Sequence, residues 1–106
     1  MRTDRSLVET VIEETLRYES PVQRLSRTTT RDVEASGVRI PQGDLVTVYF
    51  GAANRDPTEF PNPDEFRLDR DLRNHVAFST GIHYCLGAPL ARAETKLTLN
   101  AFLDRF

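Results

Sequence analysis

Phe78-Ser79-Thr80-Gly81-Ile82-His83-Tyr84-Cys85-Leu86-Gly87 holds the single cysteine of this 106-residue chain. Directly behind it, Gly87-Ala88-Pro89 opens a helical pattern in which Leu90, Ala93, Leu97 and Ala101 keep their spacing to the end. Proline suits a first helical turn, where its missing N–H costs nothing. The thiol therefore stands just before a helix N-terminus, where free N–H groups and the helix dipole favour an anion and so a thiolate. Gly81 and Gly87 flank it as they would if the backbone turned sharply and brought its amides towards the sulfur. A buried free cysteine acting as a small apolar side chain is the other reading of the same residue.

Upstream of this segment the texture is irregular. From Phe60 to about Ala77 prolines and charges alternate without a period, which predicts an ordered loop of a length usually reserved for function. Before it, Asp56-Pro57-x-Glu59 reads as a cap, a first-turn proline and an acidic third position, opening a short helix. Leu45 to Ala53 is nearly all apolar, the composition of a strand covered on both faces. Leu25 to Ile40 reads as a β-hairpin: Thr28 to Thr30, Val33 and Ala35 lead to a Ser36-Gly37 turn, and Val38 and Ile40 lead back. At the start, Ser6 and Glu9 form a capping box, and Leu7, Val8, Val11, Ile12 and Leu16 recur at helical spacing until Ser20-Pro21, giving a helix over about 7 to 19. The expected fold is an α+β arrangement in one segment, residues 1–106: helix, hairpin plus strand, irregular loop, cysteine loop, C-terminal helix.

Composition narrows the function. A net charge of −2 and a pI near 5.6 give no basic face for nucleic acid. One cysteine excludes an internal disulfide and the common structural zinc patterns. No apolar run nears the roughly 20 residues of a membrane span, and the opening residues do not form a signal-peptide core. A cytoplasmic protein is expected. Within the first helix, Glu14 and Arg17 are neighbours three residues apart. Glu14 falls at the edge of the apolar arc and Glu13 well outside it, so Glu14 is the carboxylate expected to be buried beside Arg17.

Residues 78–87 resemble the cysteine-loop signature of the cytochromes P-450, F-G-x-G-x-H/R-x-C-x-G, matched at Phe78, Gly81, His83, Cys85 and Gly87. Ser79 departs from it, standing where the family usually has glycine. Glu14-Thr15-Leu16-Arg17 resembles the family's E-x-x-R. Asn54-Arg55-Asp56-Pro57 and Asn62-Pro63-x-x-Phe66 also resemble family runs in the same order. The resemblance implies that Cys85 is the catalytic, axial thiolate of a haem b iron, its electron donation favouring O–O cleavage. It also implies that Phe78 shields the sulfur, that His83 and Arg27 meet the propionates, and that the stretch with Val22 and Leu25 faces substrate. A basic residue of the irregular loop should complete the Glu14–Arg17 pair. Glu65 occupies the position where that arginine often stands, leaving Arg67 or His75 as substitutes.

The implied protein is a haem-thiolate monooxygenase that inserts one atom of O₂ into a small organic substrate. Its electrons come from NAD(P)H through a ferredoxin-like donor, for which Arg73 and Arg92 would supply docking charge. Family members are several times longer, and nothing here resembles their oxygen-activating distal helix. The chain is therefore expected to be the C-terminal, haem-ligating part of a mainly α fold, without the N-terminal and distal-helix regions or the extreme C-terminus. A non-catalytic remnant that assembles no haem site is the alternative, and a peroxide-driven relative a further one.

Overall fold

The computed structural model describes residues 4–106. Helix α1 spans Leu7–Tyr18. The expected capping box does not form: Ser6 is itself in the helical region and caps nothing. The Asp4 carboxylate accepts instead from the Ser6 N–H at 3.0 Å and hydroxyl at 2.5 Å. Aspartate satisfies a first-turn donor as well as serine does and adds the negative charge that the dipole favours. At the far end the Ser20 hydroxyl donates to the Leu16 carbonyl, and Pro21 stops the helix.

Strands β2 (Val33–Ala35) and β3 (Val38–Ile40) pair antiparallel around Ser36-Gly37. Both turn residues have positive φ, 49° and 79°, the type I′ geometry whose twist matches paired strands. The residues before them do not extend this hairpin as expected. Strand β1 (Arg24–Thr28) pairs instead with β4 (Leu45–Tyr49), in register from Arg24↔Tyr49 to Thr28↔Leu45. Thr29 separates the two ladders: its N–H donates to the Asp44 carbonyl (3.0 Å) and its hydroxyl to that of Pro41 (2.5 Å). A second correction concerns the apolar run. The strand ends at Tyr49, Phe50–Ala53 winds into a short helix α2, and Leu45, Val48 and Tyr49 are exposed. The run is as apolar as a doubly covered strand, but these residues do not provide both covers.

The helix expected at Asp56-Pro57 shortens to one turn. The Asp56 carbonyl accepts from the Glu59 and Phe60 N–H groups, and Pro61 and Pro63 then forbid continuation. No helix or strand follows until a 3₁₀ turn at Gly81–His83, so the irregular loop is as expected. Helix α3, Ala88–Arg105, closes the chain.

Helices α1 and α3 run antiparallel and are held by three charge pairs, whose members at and before α1 are four residues apart. Arg5 meets Asp104 (2.6 Å), Glu9 meets Lys96, and Glu13 meets Arg92 (2.6 Å). Residues at i, i+4 and i+8 share one helix face, so the rungs fix the register of α3 and bring its first turn beside the middle of α1. The core is small: Val8, Ile12, Phe50, Phe60, Ala77 and Ala88, with Glu14, Arg17, Ser20 and Asn54 buried among them. The molecule measures 54 × 28 × 18 Å, and its radius of gyration is 16.9 Å. A compact chain of this length has about 13 Å.

Candidate functional site

Cys85 lies between the 3₁₀ turn and α3, with its thiol exposed. Its N–H donates to the Phe78 carbonyl at 2.9 Å, and its carbonyl accepts from the Ala88 N–H at 3.1 Å. The loop is thus closed on itself at the cysteine and then handed to the helix. Two residues of the loop have positive φ: Gly81 at 62°, where glycine is at ease, and Ser79 at 63°, where a side chain is not. Gly87 differs from expectation. Its φ is −80°, and a Cβ there would stand 3.8 Å from the Cys85 sulfur, an ordinary contact. Glycine at this point leaves the sulfur uncovered; it is not demanded by a clash.

The thiol opens into a concavity of about 340 Å³ lined mainly by apolar groups, among them Val22, Leu25, Phe50 and Phe78, with His83 also in its wall. Arg27 lies two residues beyond Leu25 on β1, hence on the same face of the strand, and is half-buried. It donates to its neighbour's carbonyl, that of Ser26, at 3.0 Å. One soft sulfur in an apolar hollow cannot hold a bare ion, which needs several ligands.

On α1, Glu14 and Arg17 are fully buried and face each other with two hydrogen bonds, 2.7 and 2.8 Å. Arg17 also donates to the carbonyls of Asn54, Pro63 and Glu65. Glu14 further accepts from the Arg67 N–H (2.9 Å) and the Arg70 guanidinium (3.2 Å). Burial pushes the Glu14 pKa up, but the Arg17 hydrogen bonds, the Arg67 N–H and the nearby guanidinium charge bring it below the ordinary carboxylate value. The third basic member is therefore Arg70. Arg67 contributes only its backbone, and its side chain pairs with Asp69 at 2.8 Å. His75 bonds to the neighbouring Glu13 at 2.8 Å.

Glu13, expected on the outer face, is half-buried. It takes a two-pronged bond from Arg92, at 2.6 and 2.9 Å, besides that of His75. Burial raises its pKa, and Arg92 and His75 more than reverse this. Arg92 is in turn held well above the usual arginine value, chiefly by the Glu13 hydrogen bond. Arg92 is thus paired within the chain. Arg73 is exposed but paired with Asp71 at 2.5 Å, which holds that carboxyl down at about 2. Asn54, which opens the run Asn54-Arg55-Asp56-Pro57, has a role the sequence did not show: its amide joins Ser20 (2.8 Å) to the Val76 N–H (2.7 Å) and so ties the end of α1 to the approach of the cysteine loop. Two adjacent glutamates on α1 were a signal that both faces of the helix carry charge partners. Nothing local marks Arg70.

An exposed cysteine just before α3, an apolar hollow that it helps to line and a buried glutamate–arginine pair make up the site. The chain belongs to the cytochrome P-450 family, whose family model matches residues 1–106. It is 49% identical to the cyclomarin C epoxidase of Salinispora arenicola over 99% of its length and 27% of that protein's. It is 45% identical to the 6-deoxyerythronolide B hydroxylase of Saccharopolyspora erythraea, covering all of the chain and 26% of the hydroxylase. Among solved structures it matches a cytochrome P-450 of Bacillus megaterium in complex with testosterone. There the TM-score is 0.94 at 44% identity, over 99% of this chain and 29% of that one. The chain spans about a quarter of the length of the relatives it matches.

Proposed function

We propose that these residues form the haem-ligating part of a monooxygenase, the C-terminal portion of a longer fold, in which the Cys85 thiolate would hold the iron of haem b. When bound, the haem supplies reductive activation of O₂ and delivery of one oxygen atom to a small organic substrate, with electrons from NAD(P)H by way of a ferredoxin-like donor. The observation that carries this reading is the exposed Cys85 sulfur facing the apolar hollow of Val22, Leu25, Phe50 and Phe78.

Each residue then has a task in this chain. Cys85 binds, and the closure of its N–H on Phe78 aims the sulfur. The Phe78 ring keeps water from it. Gly81 supplies the left-handed turn that lets the loop double back, and Gly87 leaves the sulfur bare. His83, in the wall of the hollow, and Arg27, on the Leu25 face of β1, hold the propionates, a task that the planar guanidinium suits. Val22 and Leu25 present apolar surface to the substrate. Glu14 and Arg17 fix the irregular loop. No helix among the described residues is long and apolar enough to cross a membrane, and a lone reduced thiol suits the cytoplasm, where we place the protein.

The test is the reduced, CO-bound spectrum of the intact enzyme. A band at the thiolate-ligated position is expected, moving to the histidine-ligated position in Cys85→His. A wild-type band already at the histidine position would sink the assignment of Cys85.

A further inference from the structure

Glu13 and Glu14 are adjacent on α1 yet serve different parts of the molecule. Glu14 turns inward to Arg17 and Arg70. Glu13 meets two groups that lie at opposite ends of the cysteine-loop segment. His75, three residues before Phe78, bonds to its Oε2 at 2.8 Å, and its ring is almost wholly buried. Arg92, in the first turns of α3, bonds to Oε1 at 2.6 Å and to Oε2 at 2.9 Å. One carboxylate therefore closes the segment 75–92 where it enters and where it leaves.

Arg92 carries the hold into the loop itself. Its guanidinium lies over the Phe78 ring, 4.7 Å from the centroid, and its remaining arm donates to the Tyr84 hydroxyl at 3.0 Å. Phe78 accepts the Cys85 N–H and Tyr84 precedes Cys85, so both residues that set the direction of the sulfur are held by the one guanidinium. Lysine could keep the charge but not the fork and the stacked plane. The other rungs between α1 and α3, Arg5–Asp104 and Glu9–Lys96, are more exposed and touch no part of the loop.

We propose that Glu13 acts through Arg92 and His75 as a clasp that fixes the pose of the cysteine loop, making Glu13 and Arg92 positioning residues for the Cys85 sulfur. The clasp stands on the contacts of this chain. Its consequence for haem rests on the function proposed above.

The experiment compares the wild-type holoenzyme with Glu13→Gln and Arg92→Lys. It records amide hydrogen exchange of peptides covering 78–87, the rate of haem transfer to apomyoglobin, and the reduced CO spectrum. Each variant is expected to speed exchange over 78–87 by roughly tenfold, the scale of a lost charge-assisted contact. Exchange in β1 and β4 should not change, and haem should leave faster by a similar factor. Unchanged exchange over 78–87 in both variants overturns the clasp whatever the spectra show. Exchange raised equally in every element also overturns it, because Glu13 would then support the fold at large. A histidine-type band in the wild type, with 78–87 still loosened in the variants, sinks the haem-thiolate reading and leaves the clasp standing.

Discussion

Ser79 holds φ at 63°, in the left-handed region where glycine is at ease and a side chain is not. A side chain in the left-handed region costs about 1–2 kcal/mol, whereas glycine gives back roughly 0.5–1 kcal/mol through its freer unfolded state. Ser79→Gly is therefore expected to stabilise the intact enzyme by roughly 0.5–1 kcal/mol, read as a higher denaturation midpoint. A lower midpoint would mean that the serine makes a compensating contact. Glu14 has the opposite leverage. With Arg17 fully buried beside it, Glu14→Ala leaves a guanidinium without its counter-charge, and removing one partner of such a pair costs about 3–5 kcal/mol. Glu65 is largely exposed and its nearest charge contact, Arg67, is at 3.8 Å. Glu65→Ala should stay within about 1 kcal/mol of wild type. Chemical denaturation of the two variants side by side measures the contrast, and equal losses would contradict the network drawn around Glu14.

Helix α1 is where local pattern and tertiary contact part company. Its extent follows from apolar spacing and from Ser20-Pro21, the Ser36-Gly37 hairpin from its turn chemistry, and α3 from Gly87-Ala88-Pro89, because all three signals are local. The pairing of β1 with β4 was not legible: β1 had two candidate partners of similar composition, and the choice is made at Thr29 by bonds to Pro41 and Asp44. In the same way, Cys85, Phe78 and Glu14 could be found from motif and helical face. Arg70, Asn54 and the Arg92–Glu13 contact bridge residues 22 to 79 apart and leave no periodic trace. The two α1 carboxylates also make the helix acid-sensitive. Both Glu13 and Glu14 have pKa values depressed below the ordinary 4.5. A depressed carboxylate contributes stability that is present above its unfolded value and is lost as pH falls through the folded one. Stability of the intact enzyme is expected to be level above about pH 5 and to fall below it, more shallowly in Glu13→Gln. Moderate salt should be used, so that the exposed aspartates, including Asp71, are screened. Parallel curves for wild type and variant would show that Glu13 is not among the groups responsible.

At the scale of the whole molecule, the accessible surface is 7744 Å², whereas a compact monomer of 12.1 kDa has about 6,000 Å². The excess lies where a larger protein would need it. Leu90 and Leu97 are exposed on one side of α3 and Phe102 on another, and Ile12, Leu16, Leu99 and Phe102 line an apolar groove between α1 and α3. A helix with apolar residues around its circumference is one made to be covered on more than one side. The hollow at Cys85 is likewise partly open, while the haem proposed for it would have two faces to keep dry. Leaving even ~200 Å² of such surface wet costs about 5 kcal/mol, comparable to the whole stability of a small domain. Residues 1–106 expressed alone are therefore expected to be marginally folded, to aggregate readily, and to take up haem weakly and without coupled turnover. The check is to add hemin to the isolated chain and record its unfolding transition, its reduced CO spectrum and its oxygenation of substrate. A cooperative transition together with a stoichiometric, thiolate-ligated complex would show that these residues are sufficient to seat haem by themselves. The exposed faces of α3 and β4 would then need another explanation.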